Sequence, residues 1–383
     1  MRNALAFCVL VAALASCREP ARAVPIFAER YGFSCSTCHT AVPDLNTFGD
    51  AFRRNGFTLK GVATQAEFPL ALRFQETYTK DLAAAQSRRF NALAIAVSTA
   101  NFGRNREYSY FGRYIFGNQG AVGSLYYGWL QHVNADSKSF QRIGLFGLPL
   151  VAHPSQRLDA ITTQAAYAYQ VGHSAANFAT PRLGALFGRR GDRQDLEIAI
   201  SFDEYHGAAY GAPTPPSEFA QSFAQPEIFA SAMFQAKPGL KAGALALSGQ
   251  RSFRSRAGVR TFQDAYQREG VQFSWLARSG RFDASAQQLW GYDSNADGFG
   301  AAVSSSGGFL AARYRPTAHS YVGARYDAAA NPYAVRDIDI YAADAVTPHS
   351  RLLVEYLRPL GYARTQPVLS AQLLFALPFE KRR

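Results

Sequence analysis

From residue 61 onward the chain alternates apolar and polar positions with a period of two, in segments of about ten residues. Phe68, Leu70, Leu72, Phe74 and Tyr78 interleave with Arg73, Gln75 and Thr77. Leu196, Ile198, Ile200 and Phe202 interleave with Glu197, Ser201 and Asp203, and Val271, Phe273 and Trp275 with Gln272 and Ser274. The last segment sets Leu369, Ala371, Leu373, Phe375, Leu377 and Phe379 against Ser370 and Gln372. Period two places one set on each face of a strand. A soluble sandwich alternates in the same way, so the connections carry the distinction.

Beyond residue 207 long polar connections (207–226, 251–268, 291–308, 358–366 and a medium one at 327–334) alternate with tight turns. The turns are Lys237-Pro238-Gly239, Arg278-Ser279-Gly280, Arg315-Pro316-Thr317 and Thr347-Pro348. Long on one side and short on the other is the outer-membrane barrel pattern, with the short turns periplasmic. No stretch after residue 23 is long and apolar enough for a transmembrane helix. Aromatics, 14% of residues, gather near strand ends, where interfacial girdles lie. The strand count is 16 or 17. A periplasmic start and a descending last strand require an even number, so the expected fold is all-β: a 16-stranded antiparallel outer-membrane β-barrel over 61–383. The least legible stretch is 101–190, where Gly and Ala blur the alternation.

The N-terminus reads differently. Arg2 precedes an apolar run from Ala4 to Ser16, too short for a stable anchor, and Ala21-Arg22-Ala23 offers a small-x-small cleavage site. Residues 1–23 are therefore expected to be a signal peptide, with Val24 as the mature start. Leu14-Ala15-Ser16-Cys17 is a competing lipobox that would lipidate Cys17. Cleavage after Ala23 leaves only two mature cysteines, too few for a disulfide framework.

Those two carry the chemistry. Cys35-Ser36-Thr37-Cys38-His39 is the attachment signature of one covalent c-type haem. Two thiols three residues apart can each form a thioether to one porphyrin edge, and the adjacent histidine then meets the iron as its proximal axial ligand. A thioredoxin-like dithiol is the rival, but no βαβ pattern follows. Residues 24–60 form the expected small α-helical haem module. Pro25 to Tyr31 leads into Cys35, Pro43 turns the chain, and Asp44 or Asn46 caps a second helix through Phe57, with Leu45, Phe48 and Phe52 on one face. A unit this short rarely folds alone, so the cofactor needs walls from the rest of the chain.

Charge adds one exclusion. The leader carries three arginines and one glutamate, so the net charge falls from +12 to +10 on maturation. In an exported chain this suits acidic lipid headgroups or an acidic redox partner, and no nucleic-acid module accompanies it.

Val24-Pro25-Ile26-Phe27-Ala28 through Cys35-Ser36-Thr37-Cys38-His39, then Pro43, Phe48-Gly49 and Asn55-Gly56-Phe57, resembles the cytochrome module of the outer-membrane monohaem cytochrome–porin fusions of iron-oxidising bacteria. The match covers about 35 residues, and the barrel supports it by architecture. The resemblance implies one N-terminal haem c fused to a barrel, oxidation of extracellular Fe(II), and Cys35, Cys38 and His39 as the haem-binding residues. It transfers no catalytic position. The expected function is an electron-transfer protein of the outer membrane, passing electrons from Fe(II) to a periplasmic c-type cytochrome or other redox protein. Its haem lies in the periplasm or inside the barrel lumen, plugging it. The rival readings are a haem-plugged transport or structural barrel and a periplasmic haem-binding β protein.

The sixth iron ligand stays open between His132, placed by alternation on the lumen face with Tyr126, Gly128 and Leu130, and Met233. His173 and His206 rank lower. Asp293-Ser294-Asn295-Ala296-Asp297-Gly298 matches the first half of a calcium loop, but its twelfth position is Ser304, so a turn-rich surface loop is the expectation.

Overall fold

The computed structural model describes Tyr31, Phe33, 35–41, 44–46, 48–49 and Phe52 near the N-terminus. From Leu70 to Pro378 it describes the chain apart from short loop stretches, the longest being 152–159 and 206–217. The expected signal peptide, Cys17, residues 25–30, Pro43, the second helix beyond Phe52 and His206 lie outside the described residues.

A minimal hairpin, β1 (His39–Ala41) and β2 (Asp44–Leu45), follows a single helical turn at Cys35–Cys38. The barrel then runs from β3 (Leu70–Asp81) through β4 (Arg88–Phe102), β5 (Tyr108–Ile115), β6 (Ser124–Asn134) and β7 (Ser139–Phe146). After β8 (Arg182–Arg190) and β9 (Gln194–Glu204) come three long strands, β10 (Phe219–Lys237), β11 (Leu240–Ser255) and β12 (Thr261–Leu276). It closes with β13 (Phe282–Asp293), β14 (Val303–Tyr314), β15 (Ser320–Ala330), β16 (Val335–Thr347), β17 (Ser350–Pro359) and β18 (Val368–Pro378). β18 pairs antiparallel with β3, Phe375 opposite Phe74, so the 16 strands form one closed wall without an edge.

The outer face is apolar and exposed: Phe74, Phe90, Ile198, Phe202, Val271 and Leu310 all point away from the lumen. In water such a surface is a large association patch; in hydrocarbon it needs no partner. Near the short turns the outer face carries ring pairs such as Trp275–Phe282 at 5.5 Å and Phe102–Tyr108 at 5.5 Å, and the Tyr78–Phe90 pair at 5.2 Å lies toward the opposite rim. Amphipathic rings at both ends are the girdle of a lipid-embedded barrel. At the Lys237-Pro238-Gly239 turn only glycine fits. Its φ is +80°, and a Cβ would lie 2.3 Å from the Leu276 carbonyl oxygen.

One expected loop is largely strand, and a second is so in part. The connection read as 251–268 shrinks to the five residues between β11 and β12, and β10 begins at Phe219 inside the segment read as 207–226. The cause is the lumen. Arg251, Asp264 and Arg268 are polar because they point inward, where they are buried and partnered, and alternation continues through them. The blurred stretch 101–190 holds β5 to β8 and a long segment, 147–181, whose described residues leave the wall and pack inside the lumen.

Candidate functional site

The thiol-and-imidazole motif is built by one asparagine. Cys35–Cys38 is a single helical turn, and His39 follows directly. Asn46 then closes the turn's open end: its backbone N–H donates to the Cys38 carbonyl at 2.9 Å and its side-chain amide to the Thr37 carbonyl at 3.0 Å. The same side chain accepts the Gly49 N–H at 2.8 Å, the N-cap geometry, and Phe48, Gly49 and Phe52 are helical beyond it. Asn46, not Asp44, is therefore the cap. Gly49 lies against the motif so closely that a Cβ there would sit 1.9 Å from the Cys38 carbonyl oxygen.

Around this turn four rings interlock. Tyr31 stacks on Phe33 at 5.3 Å and meets Phe52 edge-on at 5.4 Å, while Phe48 meets Phe33 at 5.6 Å. Cys38 and Phe52 are buried in this cluster. Burial pushes the Cys38 thiol up from its ordinary value. The donor set, two cysteines on one turn, an adjacent imidazole and an aromatic bed, fits a covalently attached porphyrin.

The cluster is joined to the barrel. Ala71 of β3 and Val97 of β4, directly opposite each other in register, pack against Cys38, Phe52, Tyr31 and Phe33. Both lie on the lumen-facing parity of their strands, beside the short-turn end where β3 begins.

Of the two sixth-ligand candidates, His132 is displaced to the wrong side of the wall. β5 and β6 pair Arg113 with Tyr127 but Tyr114 with Leu125, leaving Tyr126 as an extra residue. This bulge reverses the alternation assumed for Tyr126, Gly128, Leu130 and His132. Beyond it Gln131 faces the lumen, and His132 lies on the outer face with Leu130, its ring 4.9 Å from that of outward-facing Tyr108. Met233 does face the lumen, opposite Gly243, but on β10, six strands round from β4. Sixteen strands about 4.8 Å apart and tilted about 40° make a wall about 30 Å across, so Met233 and the Cys38 cluster stand on nearly opposite sides. His173 is engaged elsewhere, 4.6 Å from the Phe219 ring, with its N–H on the Ala296 carbonyl.

The 293–298 loop is tied to its surroundings by protein hydrogen bonds. Arg268 donates to Asp293 at 2.9 Å, Asn295 N–H to Asp264 at 2.8 Å, and Arg260 to the Asp297 and Gly298 carbonyls. Among the described residues no cluster of three acidic, histidine or cysteine side chains could hold a metal ion.

The feature that alternation could not foretell is the inward segment 147–181. Leu148, Leu150, Tyr167 and Phe178 pack on lumen-facing Phe229, Leu245, Leu247, Leu289 and Phe309. Its polar anchors reach far round the barrel. Val151 N–H donates to Gln272 at 3.1 Å, Tyr167 to Gln287, and Ile161 and Thr162 N–H to Glu355, while Arg325 donates to the Thr162 carbonyl at 2.9 Å. Arg182, fully buried, clamps the segment's return through the Asn177 and Thr180 carbonyls and pairs with Glu227 and Glu204; Arg251 also holds Glu204. Lining groups of both signs thus hold a strap inside the lumen.

No protein-family profile and no curated protein sequence matches the chain. Solved barrels do resemble it in shape. An OmpF of Salmonella typhi, solved with daunomycin, superposes with a TM-score of 0.57 at 9% identity, over 81% of this chain and 97% of its own. The outer membrane channel DcaP of Acinetobacter baumannii gives 0.54 at 11% identity, over 84% and 99%. A loop-deleted OmpT, an outer membrane protein of Vibrio cholerae, gives 0.52 at 12%, over 82% and 99%. At such identities the likeness concerns fold alone: the chain is a closed 16-stranded barrel with the architecture of the outer-membrane porins.

Proposed function

We propose that this protein is an outer-membrane cytochrome–porin: a lipid-embedded barrel that carries one covalent haem c and passes electrons across the outer membrane. Extracellular Fe(II) is the donor and a periplasmic c-type cytochrome or similar redox protein the acceptor. The single observation that carries this reading is the Cys35–Cys38 turn with His39 next to it, packed through Cys38 and Phe52 against the lumen-facing pair Ala71 and Val97.

Cys35 and Cys38 would hold the porphyrin through thioethers, and His39 would meet its iron. Bound there, the group supplies a one-electron couple. The chain's own contribution is positional. Asn46 and Gly49 fix the turn, four rings pack around it, and the contact with Ala71 and Val97 supports a module at the short-turn end. His132 lies outside the wall and Met233 across the lumen, so neither stands near the residues that would hold the group. The conservative sum of the reading is Fe(II) losing one electron outside and an acceptor gaining it inside.

Stopped-flow mixing of the oxidised, detergent-solubilised protein with Fe(II) tests it. A haem spectrum that converts to the reduced form supports the donor; a spectrum that does not change removes Fe(II).

A second reading has its own observation. The strapped lumen is that of a solute channel, and the barrel would then conduct ions irrespective of any redox state. Conductance in planar bilayers with no haem-dependent electron transfer would favour it.

A further inference from the structure

The lumen wall that meets the N-terminal cluster mixes apolar side chains with two arginines in a fixed pattern. In the cross-strand register Ala71 lies opposite Val97, and Val97 opposite Arg113 of β5. One inward position further into the barrel, Arg73 lies opposite Ile95, and Ile95 opposite Ile115. Alternate residues share a face and paired residues have Cβ atoms about 5 Å apart, so these six form two rows of three on the lumen face. Ala71, Ile95, Ile115 and Arg113 are buried. Arg73 and Arg113 stand at opposite corners, and the Arg113 guanidinium lies 5.1 Å from the centre of the Tyr126 ring.

The patch is therefore apolar across its middle, with a positive charge at two corners. It also begins where the cysteine turn ends, because Ala71 and Val97 pack against Cys38 and Phe52. Among the described inward strand positions of β18, β3, β4 and β5, the one carboxylate is Asp81, at the long-loop end of β3. A haem c is amphipathic in a matching sense: an apolar macrocycle with two propionate carboxylates at the edge remote from its thioethers.

We propose that Arg73 and Arg113 bind the propionates of the haem held by Cys35 and Cys38, orient it against the lumen wall, and raise its reduction potential. This rests on the haem reading above. Arginine suits the task because its planar fork can donate two N–H bonds to one carboxylate. No bond is made or broken; the iron gains one electron on reduction. A positive charge nearby favours the form with that extra electron, and removing the charge favours Fe(III).

The test uses the full-length, haem-loaded protein in detergent, with Arg73→Gln, Arg113→Gln, the two together, and Arg113→Lys. Resonance Raman reads the propionate bending bands, and spectroelectrochemistry reads the midpoint potential. Each Gln variant should shift a propionate band and lower the midpoint, so that the Fe(II)-to-Fe(III) haem ratio at a fixed electrode potential falls several-fold. The double variant should shift further, and Arg113→Lys less than Arg113→Gln, because the charge is kept. Lys241→Gln removes an inward positive charge near the short-turn end of β11, eight strands round from β3, and should move neither reading. Covalent haem per chain should stay at the parental level, since the thioethers are untouched. The single variants carry the test should the double variant lose its heat-modifiable gel shift. Haem-loaded Gln variants with unmoved bands and an unmoved midpoint overturn the assignment of these arginines while the haem reading stands. A parent chain without a pyridine haemochrome spectrum removes the haem reading, and this inference with it.

Discussion

Thr162 on the inward segment donates its backbone N–H to the Glu355 carboxylate of β17 at 3.0 Å, on the far side of the lumen from the strands that anchor the segment. The same carboxylate takes the Ile161 N–H and the Thr162 hydroxyl, and Arg325 holds the Thr162 carbonyl. Glu355 is therefore one of the side chains that tie the strap to the wall. Glu355→Ala leaves these donors without their charged acceptor, a loss of about 1.5–3 kcal/mol per bond to a charged group. In planar bilayers the variant should show larger and noisier conductance than the parent, with Glu355→Gln in between. Identical single-channel traces would mean that the strap's hold on the wall does not depend on Glu355.

Gly49→Ala tests the fixing of the cysteine turn. A methyl group 1.9 Å from the Cys38 carbonyl oxygen cannot be accommodated without moving the turn. The pyridine haemochrome yield per chain should fall several-fold, while the barrel's heat-modifiable band persists, since Gly49 lies outside the wall. Full haem yield in the variant would show that the turn does not depend on this contact.

Arg182 is a stability residue. It is wholly buried and pairs with Glu227 and Glu204, and Tyr266 donates to Glu227 at 2.7 Å. Removing one partner of a buried pair costs about 3–5 kcal/mol because the other charge stays behind. Arg182→Ala should lower the temperature of the folded-to-unfolded gel transition markedly. Arg182→Ala/Glu227→Gln should recover part of the loss, and a double variant no better than the single would contradict the pairing.

His132 should be spectroscopically silent. It lies on the lipid side beside Tyr108 and Leu130, so His132→Ala is expected to leave the haem absorption bands and the midpoint potential unchanged. A shift in either would return His132 to the iron and contradict the register of β6.

Much of this fold was legible in the alternation, because the physics that embeds a barrel writes period two into every strand. The runs around Phe74, Ile198, Phe273 and Leu373 lie in β3, β9, β12 and β18 with their large apolar residues outward, as read. Legibility failed where polarity had a second cause. Arg251, Asp264 and Arg268 looked like loop because lumen-facing residues of a wide barrel are as polar as solvent-exposed ones. It failed again at Tyr126-Tyr127, where a single inserted residue reverses every later position of β6 and carries His132 outward. The doubled tyrosine was the available signal, since two adjacent aromatics break an alternating pattern. The inward segment left no periodic trace, because its anchors are backbone groups donated to distant side chains. The cysteine–histidine motif was readable from five residues; its cap, Asn46, was narrowed to two candidates, and only the hydrogen bonds chose between them.

The central claim joins a covalent porphyrin to a lipid-embedded barrel in one chain, and a single gel addresses both halves. Outer-membrane fractions are run with and without boiling, then stained for haem peroxidase activity. The account predicts a stained band that migrates fast unboiled and at full length after boiling, because the porphyrin stays attached through Cys35 and Cys38 while the barrel unfolds. A heat-modifiable protein band that takes no haem stain in either lane would contradict it.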